Sequence, residues 1–235
     1  MEPTVRPRFK VCCIASLAEA QLAIDAGASA LGLVSRMPSG PGVIADHRIA
    51  EIAARVPPGV DTFLLTALQD PDAIIEQHRR ARTTTLQLVD ELSPDAHARL
   101  RRALPGIRLV QVIHVLGPQS VEQAERAAQR VDAILLDSGN PHLTVKELGG
   151  TGRRHDWTLS ARIRQRVPVP VLLAGGLTPE NAAEALTTVR PYALDVCSGL
   201  RDPSFALDPI KLARFAAAVR TAAPASPGGD ANRRE

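Results

Sequence analysis

Eight short apolar runs, each followed by a stretch with helical spacing, constrain this chain more than any other feature. The runs fall at 9–14, 30–34, 60–66, 84–89, 107–114, 133–137, 169–174 and 193–197. The helical patterns fall at 17–26, 46–56, 71–81, 93–104, 120–130, 158–167, 179–189 and 209–221. Strands that alternate with helices at this spacing pair in parallel, and eight units of roughly 25 residues are enough to close the sheet on itself. The expected fold class is therefore α/β, as a single (β/α)8 or TIM barrel. Its span is 9–221, after a flexible lead-in over 1–8 and before a disordered tail over 222–235 that is rich in Pro, Gly, Ala and charge.

Turn chemistry supports the boundaries. Gly27 follows the first helical stretch at a plausible C′ position. Pro57-Pro58-Gly59 stops the second. Ser93-Pro94 reads as an N-cap with proline at the first helical position, and Thr178-Pro179-Glu180 repeats that pattern. Two connections are long, 35–45 after the second strand and 138–157 after the sixth. Both leave C-terminal strand ends, where barrel active sites sit, and both carry glycines that suit ligand loops or lids.

Bulk properties exclude several classes. The 28 Lys and Arg nearly balance the 25 Asp and Glu, so the net charge is only +3. Aromatic residues make up 3%, too few for base-stacking platforms, and the arginines are scattered, so no nucleic-acid partner is expected. No apolar run reaches the length of a membrane span, and Met1 to Arg8 lack the apolar core of a signal peptide. Three cysteines, Cys12, Cys13 and Cys197, form no spaced framework and suit a reducing, cytoplasmic setting. Adjacent Cys12 and Cys13 on a strand would point to opposite faces. The sequence leaves the oligomeric state open.

The candidate chemistry lies at strand ends. Gly175-Gly176 follows the seventh run and Ser198-Gly199 the eighth, where barrels frequently present backbone N–H groups to a phosphate. Gly149-Gly150-Thr151-Gly152 could add a third set of donors. Cys12 ends the first strand and Asp137 the sixth, so a thiolate base and a carboxylic acid could face one another across the mouth. Each feature also has a plainer use: the glycines as ordinary tight turns, Cys12 as a small buried hydrophobe, Asp137 as a loop brace. Lys10 suits an internal salt bridge better than a Schiff base. His47, His78 and His97 fall in helical stretches and are expected to be solvated, while His114 ends the fifth strand and His155 lies in the long loop. No metal is expected, since no HxH or HExxH spacing occurs, and no cofactor, since neither a Walker motif nor GxGxxG is present.

Taken together these segments resemble the phosphoribosylanthranilate isomerase family. Lys10-Val11-Cys12-Cys13-Ile14 is similar to the family's K-I-C-G-I opening. The stretch from Ala26 to Val34 resembles its next block. Leu135-Leu136-Asp137-Ser138, then Gly149-Gly150-Thr151-Gly152 and Asp156-Trp157, resemble its sixth-strand and loop signature. Leu173 to Asn181 and Arg190 to Gly199 resemble its C-terminal signature, so the likeness runs from Lys10 to Val219. The resemblance implies a cofactor-free Amadori rearrangement of N-(5-phosphoribosyl)anthranilate to its 1-deoxyribulose 5-phosphate product, in tryptophan biosynthesis. It implies Asp137 as general acid and Cys12 as general base, with Gly150, Gly175, Gly176, Ser198 and Gly199 around the phosphate and Asp195 as a further substrate contact.

The chain departs from the family pattern at four places. Cys13 stands where the family usually has Gly, and Ala15 where it has Thr. Gly40-Pro41-Gly42 replaces S-P-R, whose arginine is expected to meet the anthranilate carboxylate; Arg36 and Arg48 flank the loop without matching that position. Gln87-Leu88-Val89-Asp90 replaces Gln-Leu-His-Gly. The acid, the base and the phosphate turns are thus retained, while two polar groups at the aromatic end are missing. Two other readings stay open on these grounds: a related isomerase or lyase acting on another phosphorylated sugar, and a non-catalytic phosphate-ligand binding protein on the same scaffold.

Overall fold

The computed structural model describes residues 8–222. Eight parallel strands close in sequence order: β1 (Arg8–Val11), β2 (Ala30–Val34), β3 (Asp61–Thr66), β4 (Thr85–Leu88), β5 (Arg108–His114), β6 (Ala133–Asp137), β7 (Val171–Leu173) and β8 (Ala193–Val196). Pairing of Phe9 with Leu194 and Lys10 with Asp195 seals β1 to β8. Helices α1 (Leu17–Asp25), α2 (Asp46–Ala53), α3 (Pro71–Ala81), α4 (Pro94–Ala103), α5 (Gln119–Ala128), α6 (Trp157–Arg166), α7 (Ala182–Val189) and α8 (Pro209–Thr221) follow the strands one for one. This is the expected (β/α)8 barrel. Of the lead-in and tail, only the inner ends lie within the described residues: Arg8 already pairs with Ala193, and Ala222 caps α8.

The two-residue period of a strand sorts side chains between two cores. Leu31 and Leu33, Leu64, Leu86 and Leu88, Ile134 and Leu136, Leu194 and Val196 face outward and pack beneath the helices. Ala30 and Val34, Phe63 and Leu65, Val110 and Val112, Ala133 and Leu135 face inward and fill the barrel. The same parity turns Lys10, Cys12, Gln87, Asp137 and Asp195 inward, because each shares the register of an inward neighbour. Binary patterning therefore selects both the fold and the candidates that can meet inside it.

Several local expectations hold with a visible cause. Ser93 accepts from the Ala96 N–H ahead of Pro94, and Gly27 follows α1 at φ +94°. Others need correction. The first strand stops at Val11 and not at residue 14, because Cys13 takes φ +63° and turns the chain out of the ladder. Thr178-Pro179 does not start α7; Asn181 sits at its N-cap, and its Oδ1 accepts from the Thr178 N–H while its Nδ2 donates to the Gly176 carbonyl. His78 and His97, expected in solvent, are buried: His78 Nε2 meets the Thr83 carbonyl at 2.9 Å and His97 bridges the Ser93 carbonyl and the Gln111 side chain. Each sits on the inward stripe of its helix; both ring nitrogens of His97 have partners, whereas the Nδ1 of His78 is buried without one. Among the described residues no helix is long and apolar enough to cross a membrane.

Candidate active site

A cavity occupies the C-terminal mouth of the barrel, the end at which barrel active sites sit. Cys12, Asp137, Gly150, Gly175, Gly176, Asp195 and Ser198 all line it. Gly199 does not. It stands behind the wall, so close to the Leu177 carbonyl that a Cβ there would lie 2.0 Å from that oxygen.

One side of the cavity is backbone. The turns after β7 and β8 and the loop between β6 and α6 meet there. Among the described residues, the N–H groups of Gly175, Gly176, Ser198 and Gly199 donate to no backbone acceptor outside their own element. Ser198 and Gly199 open a short 3-10 turn (Ser198–Leu200), whose first N–H groups have no partner within the turn. Asn181 fixes the 176–178 turn from behind, and Ser138 and Thr151 join their hydroxyls at 2.7 Å to tie the long loop to β6. His155, brought in by that loop, is held by Ser160 at 2.7 Å, and burial keeps its pKa below the usual imidazole range.

The floor is ionic. Lys10 Nζ lies 2.8 Å from both Asp195 oxygens, with both residues buried. Burial alone would lower the Lys10 pKa; the Asp195 carboxylate, with Cys12, outweighs it and holds the ammonium above its ordinary value. Burial pushes the Asp195 carboxyl up, against the pull of Lys10. The internal salt bridge expected for Lys10 is present, and it leaves a fixed positive charge beneath the Cys12 sulfur.

Cys12 lies one residue beyond β1, its N–H donating to the Val196 carbonyl at 2.8 Å. The neighbouring Cys13 lowers the Cys12 pKa first, burial opposes, and Lys10 lowers it further. Asp137, at the end of β6, accepts the Ser138 N–H on Oδ1 at 2.7 Å. Its Oδ2 points toward Gly149, where any side chain would collide, since a Cβ would sit 2.8 Å from that oxygen. One carboxylate oxygen is thereby anchored and the other opens on the cavity.

Two residues at the site escaped the sequence reading. Arg201 is buried and donates from one nitrogen to the carbonyls of both Cys12 and Cys13 at 2.8 Å, while its other nitrogen pairs with Glu19 at 2.7 Å. It clamps the turn that carries the thiol. Nothing in the sequence marks it, because its partner on α1 is 182 residues away. Gln87 lines the cavity from β4, and its Oε1 is buried without a protein partner. Its inward parity was the available signal.

The opposite side of the cavity is built from apolar side chains: Val34, Met37, Leu65, Val89 and Leu148. Among the described residues no Arg or Lys lines it. Arg36 is exposed, Arg48 pairs with Glu51 on the outer face of α2, and Lys146 pairs with Asp90 outside the cavity. Neither arginine flanking the Gly40-Pro41-Gly42 loop reaches the mouth.

The comparisons with known proteins bear on this arrangement. A family described as N-(5'phosphoribosyl)anthranilate (PRA) isomerase matches residues 9–203. The chain is similar to N-(5'-phosphoribosyl)anthranilate isomerase 2 of Methanosarcina mazei, 36% identical over 209 residues, covering 88% of this chain and 92% of that one. It is similar to the N-(5'-phosphoribosyl)anthranilate isomerase of Natronomonas pharaonis, 37% identical over 198 residues, covering 84% and 90%. Among solved structures it resembles the phosphoribosyl anthranilate isomerase of Thermus thermophilus with a TM-score of 0.76 and 29% identity, covering 90% of this chain and 98% of that one. A second, solved with reduced 1-(o-carboxyphenylamino)-1-deoxyribulose 5-phosphate, matches with a TM-score of 0.76 and 25% identity, covering 91% and 98%.

Proposed function

This chain belongs to the N-(5'-phosphoribosyl)anthranilate isomerase family and is an isomerase of tryptophan biosynthesis; we propose that Cys12 is its general base and Asp137 its general acid. The single observation that carries this assignment is that both groups open on one cavity, next to a wall of uncommitted backbone donors.

The substrate is an N-glycoside whose ring oxygen must leave C1. Asp137, protonated, gives its proton to that oxygen as the C1–O bond breaks, and the nitrogen lone pair forms the iminium. The iminium acidifies the C2–H bond. Cys12, as thiolate, takes the C2 proton, and the electron pair moves to give the enolamine, which tautomerises to the ketone. The chemistry is proton transfer at both ends, so it needs acids and bases at fixed positions and no electron carrier. The Lys10 ammonium supports the thiolate from below. The N–H groups of Gly150, Gly175, Gly176 and Ser198, which line the cavity, are assigned to the 5-phosphate, as a turn-built anion site, with Gly199 backing the turn from behind the wall. The anthranilate ring then lies against Val34, Leu65, Val89 and Leu148, with Gln87 as the polar group on that side.

Purified protein incubated with phosphoribosylanthranilate should quench the substrate's fluorescence in a first-order decay proportional to enzyme. No decay at high enzyme concentration would overturn the reading.

A further inference from the structure

The 149–156 loop packs onto the phosphate side of the cavity and leaves one titratable nitrogen uncommitted there. A Cβ on Gly152 would lie 3.5 Å from the Ser198 Oγ, and one on Gly176 would lie 2.7 Å from the Arg154 nitrogen. A Cβ on Gly175 would lie 2.9 Å from His155 Nδ1, 3.1 Å from the Ser138 Oγ and 3.2 Å from the Arg153 carbonyl oxygen. The imidazole therefore sits against the turn whose N–H groups are assigned to the phosphate. Its Nε2 meets the Ser160 Oγ at 2.7 Å. That hydroxyl gives its own hydrogen to the Asp156 carbonyl, so it accepts from Nε2–H, and the neutral ring keeps a lone pair on Nδ1. Nδ1 is buried and has no partner among the described residues, an arrangement that costs free energy until something answers it.

What answers it follows from the charge around the cavity. Asp137 and Asp195 line it, and among the described residues no Arg or Lys does. The two arginines of the loop are engaged elsewhere, Arg153 with Glu147 and Arg154 with Glu184. A phosphate monoester carries about two negative charges at neutral pH, and the wall meets them with N–H dipoles alone.

We propose that His155 is a positioning residue for the phosphate: its Nδ1 takes up one proton from solvent when the phosphate monoester binds, and the imidazolium acts through the Gly175–Gly176 turn. This rests on the assignment of the phosphate to that turn. The new N–H has acceptors at hand, since the Arg153 carbonyl and the Ser138 hydroxyl border the same point above Gly175. The charged groups facing the ring are Asp137 at the end of β6, Asp156 at the N-cap of α6, and Arg154, which is tied to Glu184 on α7. Burial and Arg154 hold the ring neutral, Asp137 and Asp156 oppose them, and a bound dianion joins the second group. The imidazole pKa is then higher in the complex than in the free enzyme, so binding tightens as pH falls through the interval between the two values.

The test follows the His155 ring C–H by NMR against pH, in the full chain alone and with saturating reduced 1-(o-carboxyphenylamino)-1-deoxyribulose 5-phosphate. It also measures the Kd of that analogue and of its dephosphorylated counterpart. We expect the His155 pKa to rise by about one unit or more with the phosphorylated analogue. The Kd of the wild type should then fall by up to about tenfold relative to that of His155→Gln between about pH 8 and about pH 6, a ratio from which the titration of the phosphate itself cancels. The NMR measurement needs only the wild type. An unmoved His155 pKa, with dephosphorylation weakening binding by about tenfold or more, overturns the role of His155 and leaves the phosphate wall standing. Equal Kd values for the two analogues overturn the phosphate wall, and the role of His155 with it.

Discussion

The two sides of the cavity are made of different materials. The side assigned to the phosphate is built from main chain: turns at 149–152, 175–176 and 198–199, braced by Asn181, Ser138 and Thr151. The side assigned to the aromatic ring is built from side chains: Val34, Met37, Leu65, Val89 and Leu148. Backbone donors are indifferent to most substitutions, provided small residues keep the approach open. A side-chain wall changes with every substitution. The sequence resemblance runs the same way: it implies a kept pattern at the first side, in Leu173 to Asn181, and a departure at the second, where Gly42 and Val89 stand at the positions expected to carry an arginine and a histidine. One scaffold can therefore hold its phosphate constant while its aromatic pocket varies.

Both sides rest on the Lys10–Asp195 pair, and its loss gives the largest expected effect. Lys10→Met strands a buried carboxylate and should cost about 3–5 kcal/mol in a urea unfolding series, whereas Lys10→Met with Asp195→Leu should recover most of that. The Lys10 pKa is raised in the folded state. Its contribution is therefore complete below about pH 10.4 and is lost as pH rises through the raised value. The wild type should lose more stability above about pH 10.5 than the double variant does, and equal losses would show that the pair contributes nothing.

The next effect separates the two materials. Gly176→Ala places a Cβ 2.7 Å from the Arg154 nitrogen at a residue with φ +63°. Strain of about 1–3 kcal/mol should appear as a rise in KM of roughly 5- to 150-fold. Ser198→Ala deletes only a hydroxyl from a wall whose donors are N–H groups, and should change KM less than about fivefold, below the cost of one charge-assisted hydrogen bond. If Ser198→Ala proves the more damaging, the phosphate side is not backbone-built.

At the aromatic side the ordering reverses, because adding a side chain there adds a partner. Gly42→Arg alone collides with Cys13 and should lower stability by about 1–3 kcal/mol. Combined with Cys13→Gly, the arginine gains room though its φ of +80° still costs strain, and KM for phosphoribosylanthranilate should fall by up to about tenfold relative to Gly42→Arg alone, the lower end of a charge-assisted contact. Steady-state kinetics on both variants checks this. A double variant no better than Gly42→Arg would show that the Cys13 side chain is not what excludes residue 42.

The fold was legible because its signal repeats: eight alternations survive an error at any one boundary. The inward set followed from parity alone, which carries Cys12, Asp137 and Asp195 to one mouth from β1, β6 and β8. What the sequence hid depends on single long-range contacts. Arg201 reads as one more scattered arginine until the barrel brings Glu19 and the Cys12 carbonyl to it. Cys13 reads as an outward strand residue until a left-handed φ reverses it. His78 and His97 read as solvated because helical spacing alone did not show which stripe faced the barrel.

The most direct test of the account sets turnover against affinity in Cys12→Ala and Asp137→Asn. Turnover is followed by phosphoribosylanthranilate fluorescence, and affinity by the Kd for reduced 1-(o-carboxyphenylamino)-1-deoxyribulose 5-phosphate. If the pair moves protons while the backbone wall holds the phosphate, each variant loses about 10²- to 10⁴-fold in kcat and keeps its Kd within about threefold, less than one hydrogen bond's worth. Turnover that survives both substitutions, or a Kd that collapses in parallel with kcat, would contradict it.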